Sequence, residues 1–376
     1  MARILVVDDI EDNVFLLKLI LEKLGHAALP AYNGMDALAI ARSESVDLVL
    51  LDVMMPVMNG LEVAAQLRKD ETTKHIPIIL LTAKKNDVND GVEGLAAGAN
   101  EYVTKPFHET ELIARVNSML RMKELYDEVA HAKAVMTEEL IMAQAVQASL
   151  LPVKVPYADK IRFNARYLAA QSLGGDYYDI LDFGGGKVGV VMADVSGHGP
   201  SAALIVSMVK AIISSETSEG ASPAKIAERL NMSLVKMIPE ERFVTIFLGI
   251  LDVNTGKLDY VRGGHPHPFL LKKKDRTVTT LDASGDLIGM FDEIQMESRE
   301  IVMEPGDRLV AYSDGLIEVH DESGKQYGQA SLKEALEESF DLAGEEMANA
   351  VLDKSLNFSV SKTLDDDVAL FILEML

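Results

Sequence analysis

Over the first 120 residues the chain alternates between two periods, and this restricts its fold more than any other feature. Short apolar runs at residues 3–7, 27–31, 46–51, 77–81 and 101–103 read as strands. Between and after them, residues 13–24, 34–41, 60–68, 88–97 and 108–120 carry helical spacing. Strands that are apolar at nearly every position must be covered on both faces. The segment is therefore expected to be a doubly wound α/β domain, a parallel five-stranded sheet between layers of helices. Functional groups in such sheets gather at the carboxyl ends of the strands. The polar residues at those ends are Asp8 and Asp9, Asp52, Thr82 and Lys105.

Any one of these acids alone could be a helix cap or a loop carboxylate. Together on matching strand ends they suit phosphoryl transfer to an aspartate. Asp9 and Asp52 would hold Mg2+ with Asp8 in support, Asp52 would be the nucleophile, and Thr82 and Lys105 would bind phosphoryl oxygens. The motifs VVDD (residues 6–9), LLDVMMPVMNG (50–60), LLTA (80–83) and EYVTKPF (101–107) resemble those of response-regulator receiver domains. That resemblance implies an acyl phosphate on Asp52 donated by a sensor histidine kinase. It also implies a switch in which Thr82 and Tyr102 change position.

Beyond residue 120 the pattern changes. Met122, Tyr126, Val129, Met136, Leu140, Ala143 and Leu150 fall at steps of three and four, with Lys133 and Gln147 interrupting, and no Pro or Gly intervenes before Pro152. Residues 121–151 are expected to be a helical, coiled-coil linker of a homodimer; the alternative is one amphipathic helix packed on its own domain.

Residues 152–376 read differently again, with strands expected at 187–193, 244–253, 257–262, 269–272, 296–303, 308–313 and 368–373. Helices are expected at 200–215, 223–237, 330–340 and 345–357, giving an α+β domain, a β-sandwich flanked by helices. The stretch VVMADVSGHGPSAA (residues 190–203) delivers Asp194 to a strand end beside two glycines, and further acids stand in GGDYYD (174–179), YSDG (312–315) and LDDDVALF (364–371). Hydrolysis of a phosphate ester at neutral pH needs an activated water and compensation of phosphoryl charge, which two divalent cations on oxygen ligands supply. With no cysteine, disulfides, zinc–thiolate sites and thiol nucleophiles are excluded. No GxSxG or Ser-His-Asp pattern supports acyl chemistry. GGDYYD lacks the Glu and Phe that complete the GGDEF loop of diguanylate cyclases.

GGDYYD, ADVSGHGPSAAL (193–204), GGHPHPFL (263–270), SGDLIGM (284–290), PGDRLVAYSDGLIE (305–318) and DDVALF (366–371) together resemble the PPM superfamily of metal-dependent serine/threonine phosphatases. They are most similar to its bacterial branch that controls sigma factors in stress response and sporulation. The resemblance implies that Asp176, Asp194, Asp314, Asp366 and the Val195 carbonyl hold two Mn2+ or Mg2+ ions. Asp176 and Asp194 would stand next to the bridging water, and Asp367 fills a second acidic position. His198 is either a general acid or a structural turn residue, and Arg166 is the arginine nearest in sequence before GGDYYD for holding phosphate. The implied substrate is a phosphorylated anti-sigma-factor antagonist. The alternative is an adaptor that binds a sigma-factor regulator without catalysis. A formal charge of −23 argues against nucleic acid or an anionic membrane as partner. The apolar run before Asp8 is too short for a signal peptide and none reaches membrane-spanning length, so a cytoplasmic protein is expected.

Overall fold

The computed structural model describes residues 1–82, 97–218, 220–359 and 364–376. The helix expected at 88–97 lies, except for its last residue, outside the described residues. The chain forms two compact units, Met1–Met136 and Thr137–Leu376.

In the first unit, strands β1 (Arg3–Val7), β2 (Ala27–Ala31), β3 (Leu48–Asp52), β4 (Ile78–Thr82) and β5 (Glu101–Thr104) form one parallel sheet in the order β2-β1-β3-β4-β5. Helices α1 (Glu11–Lys23), α2 (Gly34–Ser43) and α3 (Gly60–Lys69) cover it, and every residue of β3 is buried. Alternate strand residues feed two cores. Leu5, Val49, Leu51 and Ile78 pack with Val63 and Leu67, whereas Ile4, Val6, Leu50 and Ile79 pack with Leu17, Leu21 and Leu112. This is the two-faced burial that near-continuous apolar strands require.

The helices expected at 108–120 and 121–151 are continuous. Together they are α4, Glu109–Leu150, a single 42-residue helix with no Pro or Gly to end it. Its buried residues are Leu112 and Val116. Val129, Met136, Met142 and Val146 are each more than 60% exposed.

In the second unit, β6 (Ile161–Leu168), β7 (Asp176–Gly184), β8 (Lys187–Val195), β9 (Val244–Asp252), β10 (Lys257–Gly263), β11 (Phe269–Lys272), β12 (Thr277–Thr280), β13 (Arg299–Val302), β14 (Arg308–Tyr312) and β15 (Val368–Met375) form two antiparallel sheets. Their orders are β13-β10-β9-β8-β7 and β12-β11-β14-β15-β6. Tyr178, Met192 and Phe247 from the first meet Leu309, Ala311 and Phe371 from the second in the core between them. On the outside, α5 (Pro200–Ser215) and α6 (Pro223–Leu234) cover the first sheet through Val206, Val209 and Leu230. The second sheet is covered by α7 (Gly328–Glu338) and α8 (Gly344–Phe358) through Leu336 and Val351. The unit is thus a β-sandwich flanked by helices.

Three strands, β6, β7 and β12, stand where none was expected, and the strand expected at 296–303 is confined to Arg299–Val302. The acids of GGDYYD therefore stand on a strand that begins at Asp176, and this decides the geometry of the site.

Candidate functional site

In the first unit the parallel ladder sets the site. Val7 pairs with Leu51, Asp52 with Leu81 and Thr82 with Thr104, so Asp8, Asp52, Thr82 and Lys105 leave their strands at one edge of the sheet. The Lys105 ammonium donates to Asp8 Oδ2 at 2.6 Å and to Asp52 Oδ1 at 2.5 Å. Asp8 also accepts from the Ile10 N–H (3.0 Å) and the Asn13 amide (2.9 Å), and Asp52 Oδ2 accepts from the Met54 N–H (2.9 Å). Burial works against the Lys105 charge, but the bonds to Asp52 and Asp8 and their negative charges outweigh it, so the ammonium is held above its ordinary range. Asp8 and Asp52 are buried, while Asp9 is exposed beside them. Thr82 accepts from the Lys105 N–H through its carbonyl at 2.6 Å, and Tyr102, paired with Leu80, is 40% exposed. These residues offer hard carboxylate oxygens, one of them (Asp9) open to solvent, and a cation already bound to two acids. The donor set fits Mg2+.

In the second unit, antiparallel pairing places Asp176 of β7 directly opposite Asp194 of β8, and Asp194 opposite Thr245 of β9. Directly opposed residues share a face, so like charges stand side by side, an arrangement that costs stability in an ordinary sheet. Phe247 and Met192, two residues further along, lie in the inter-sheet core. The acids therefore sit at one end of the space between the sheets. The second sheet delivers its acids to the same end. Ser313 follows β14 and its hydroxyl donates to Asp176 Oδ2 while accepting from the Ala369 N–H at 2.8 Å, tying the sheets together beneath the site. Asp314 opens a 3-10 turn directly after it, and Asp366 and Asp367 precede β15.

Asp367 is buried and accepts from the Ala170 N–H (2.8 Å) and the Gly175 N–H (2.6 Å), so it shapes the loop that enters β7. Asp366 is exposed and accepts from the Asp367 N–H. The Val195 N–H donates to the Gly175 carbonyl at 3.1 Å. A Cβ on Gly175 would stand 2.6 Å from the Val195 carbonyl oxygen and 3.3 Å from Asp194 Oδ1, so the entry strand lies against these oxygens at a distance that only glycine permits.

Burial, then the charge of Asp194, drives the Asp176 carboxyl well above the carboxylate range, with the Ser313 bond opposing the shift. Burial and the charges of Asp314, Asp366, Asp367 and Glu318 push Asp194 up to about 7. Asp314 is pushed up to about 6 by burial, Asp366 and Glu318. The acids thus act on one another, and the influences that raise them are burial and other acids. Among the described residues no three His, Cys, Asp or Glu side chains have closed on a common point as metal ligands. The chemistry of the donors, four carboxylates and a backbone carbonyl sharing excess negative charge, nevertheless fits hard divalent cations.

Several residues at this end were given no role by the sequence: Ser313 within YSDG, Arg242 (whose guanidinium donates to the Ser196 carbonyl), and the pair Thr245–His265, joined at 2.8 Å. His265 is buried, which lowers it to about 3 and keeps it neutral. Arg166 is engaged elsewhere, bonded to Asn349 (2.7 Å) and Glu345 (2.9 Å) of α8. His198 is exposed in the turn before α5. From the other side, the end of α4 reaches the same loop. The Gln147 amide donates to the Gly174 carbonyl (2.7 Å) and accepts from its N–H (3.2 Å). Lys210 of α5 binds both the Leu150 carbonyl and, at 2.8 Å, Asp179.

Comparison with known proteins bears on both units of the chain. Residues 184–376, slightly more than half of the chain, match the stage II sporulation protein E (SpoIIE) family, and residues 4–117 match the response regulator receiver domain. Response regulator PleD of Caulobacter vibrioides is 37% identical over 206 residues, covering 54% of this chain and 44% of PleD, so the chain spans less than half of that relative. Phosphoserine phosphatase RsbU of Bacillus subtilis is 27% identical over 270 residues, 71% of this chain and 79% of RsbU. The SiaA-PP2C domain of Pseudomonas aeruginosa shares the fold, with a TM-score of 0.56 at 18% identity, covering 65% of this chain and 99% of that one. No described helix is long and apolar enough to cross a membrane. The chain is a member of the SpoIIE family that carries a response-regulator receiver domain ahead of its SpoIIE segment.

Proposed function

We propose that this chain is a response regulator whose output is a metal-dependent protein serine/threonine phosphatase, acting on a phosphorylated anti-sigma-factor antagonist and controlled by phosphorylation of Asp52. The observation that carries the catalytic half is the opposed pair Asp176 and Asp194, with Asp314 and Asp366 delivered to the same end by the other sheet. Asp176, Asp194, Asp314, Asp366 and the Val195 carbonyl would hold two Mn2+ or Mg2+ ions. Bound there, these would supply a water nucleophile at neutral pH and neutralise phosphoryl charge. The chain's own part is to hold its carboxylates in place, and bound cations would favour their ionised forms. Ser313 fixes the Asp176 carboxylate, and Asp367 fixes the loop that carries it. The likeness to RsbU, named as a phosphoserine phosphatase, supports the reaction class.

In the receiver, Asp8, Asp9 and Asp52 would hold Mg2+, and Asp52 would accept phosphate from a sensor histidine kinase. Lys105 is then free to leave Asp52 for a phosphoryl oxygen, with Thr82 and Tyr102 moving in response. Residues 121–151 would link the receiver (1–120) to the phosphatase domain (152–376). The exposed apolar residues of α4, among them Tyr126, Val129 and Met136, suit pairing with the same helix of a second copy. Gln147 and Lys210 would carry a change in that helix to the Gly174 loop and α5.

Asp194→Asn tests the catalytic assignment. It should reduce Mn2+-dependent hydrolysis of a phosphoserine protein at least about 100-fold while leaving the metal-free far-UV spectrum unchanged. Turnover within a few-fold of wild type would remove Asp194 from the site.

A further inference from the structure

The turn after Asp194 carries the Val195 carbonyl, and its shape is set by a segment 46 residues downstream. The Ser196 N–H donates to the Phe243 carbonyl at 2.9 Å, and Ser196 Oγ accepts from the Phe243 N–H at 3.0 Å. The Ser196 carbonyl accepts from Nη1 of Arg242, whose Nη2 reaches Ser201 Oγ at 3.2 Å in the first turn of α5. All three hydrogen-bonding groups of Ser196 are therefore engaged by Arg242 and Phe243. Gly197 has φ 85°, and a Cβ on it would stand 1.7 Å from Arg242 Nη1, so the guanidinium lies against the turn where only glycine leaves room. The Gly197 carbonyl in turn stands 3.0 Å from the Cβ position of Gly175, beside Asp194 Oδ1. The Val195 carbonyl belongs to the same peptide group as the Ser196 N–H, so the bonds that Arg242 and Phe243 make to Ser196 bear directly on where that oxygen and the adjoining Asp194 stand.

We propose that Arg242 is a positioning residue for the metal site: its guanidinium bridges the Ser196 carbonyl and Ser201 Oγ, and so fixes where the Val195 carbonyl and the Asp194 carboxylate stand. This rests on the acid cluster being a divalent-cation site. Arginine suits the task because its donors form a rigid planar fork that spans two separated acceptors, whereas a lysine ammonium is a point donor on a flexible stem. Groups that orient ligands in this way typically contribute about 10–100-fold to metal affinity.

The test is calorimetric titration of Mn2+ into the full chain, as wild type, Arg242→Ala, Arg242→Lys and Ser201→Ala. Asp194→Asn serves as the blank that isolates binding at the receiver. Turnover of a phosphoserine protein at saturating Mn2+ accompanies each titration. Arg242→Ala should weaken the Asp194-dependent Mn2+ binding by about 10–100-fold, and Arg242→Lys should not restore it. Ser201→Ala, which removes one arm of the bridge and leaves the guanidinium in place, should give a smaller loss. KM for the phosphoprotein should stay at its wild-type value once metal is saturating. Wild-type Mn2+ affinity in Arg242→Ala would overturn the proposal. So would a raised KM with unchanged metal affinity, which would make Arg242 a substrate contact. If Arg242→Ala does not fold, wild-type Mn2+ affinity in both Arg242→Lys and Ser201→Ala overturns it equally. A wild-type isotherm indistinguishable from that of Asp194→Asn would instead overturn the metal site itself, and this inference with it.

Discussion

Gly175→Ala adds a single methyl group at the point where the entry strand of β7 meets the turn after β8. The new carbon would stand 2.6 Å from the Val195 carbonyl oxygen and 3.0 Å from that of Gly197, both backbone atoms that cannot rotate away. Carbon–oxygen contacts settle near about 3.3 Å, so the Val195 carbonyl must retreat by about 0.7 Å. Metal–ligand distances tolerate only about 0.2 Å, which takes this oxygen out of coordination range. The stability cost of overpacking should be about 1–3 kcal/mol. The functional cost is of similar size, because a displacement of this kind at a reacting centre typically lowers turnover about 100-fold, equivalent to about 2.7 kcal/mol. Mn2+ titration of the full chain, with calorimetric melting beside it, separates the two effects. Gly344→Ala is the control. Its Cβ would press on the end of the Asn164 side chain, at 2.7 Å, and touch Ile372 at an ordinary 3.8 Å, and it should leave Mn2+ binding unchanged. Wild-type Mn2+ affinity in Gly175→Ala would refute the place given to the Val195 carbonyl.

Two further outcomes follow from the electrostatics. Asp194 and Asp314 are raised to about 7 and about 6, so the folded chain holds their protons more tightly than the unfolded chain does. That stabilisation is complete below the unfolded pKa of about 4 and is lost as pH rises through about 6–7. The metal-free melting temperature of the second unit should therefore fall between pH 5 and 8, and Mn2+ should remove the fall; a metal-free melting temperature that rises over this window would contradict it. In the receiver, Lys105→Met leaves the buried Asp8 and Asp52 carboxylates without their cation. Denaturant unfolding should show a loss of about 3 kcal/mol, partly recovered by Mg2+, and a loss below about 0.5 kcal/mol would mean that the pair behaves as an exposed one.

The receiver was legible in the sequence because its strands are apolar on both faces and its polar residues stand immediately after them. Asp8, Asp52, Thr82 and Lys105 are found at the strand ends where spacing put them. The sandwich was only partly legible. In β6, Ile161, Phe163, Ala165 and Tyr167 alternate with Arg162, Asn164 and Arg166, a strand period that the charges obscured. In β7, Asp176, Asp179 and Asp182 interrupt the apolar pattern, so no strand was assigned there and the opposition of Asp176 and Asp194 went unseen. Arg166 precedes GGDYYD in sequence, yet strand alternation turns it to α8. Ser313, Arg242 and His265 act across sheets or between distant segments, and nothing local in their neighbourhoods marks such contacts.

The central claim is that the receiver controls a hydrolytic metal site. It is tested most directly by the rate of Mn2+-dependent hydrolysis of a phosphoserine protein by the full chain, with and without beryllofluoride as a mimic of phospho-Asp52, against Asp194→Asn as blank. The account predicts hydrolysis well above the blank and a change of at least about 5-fold with beryllofluoride, equivalent to about 1 kcal/mol of coupling, that disappears in Asp52→Asn. A rate equal to the blank in both states, or one indifferent to beryllofluoride, would contradict it.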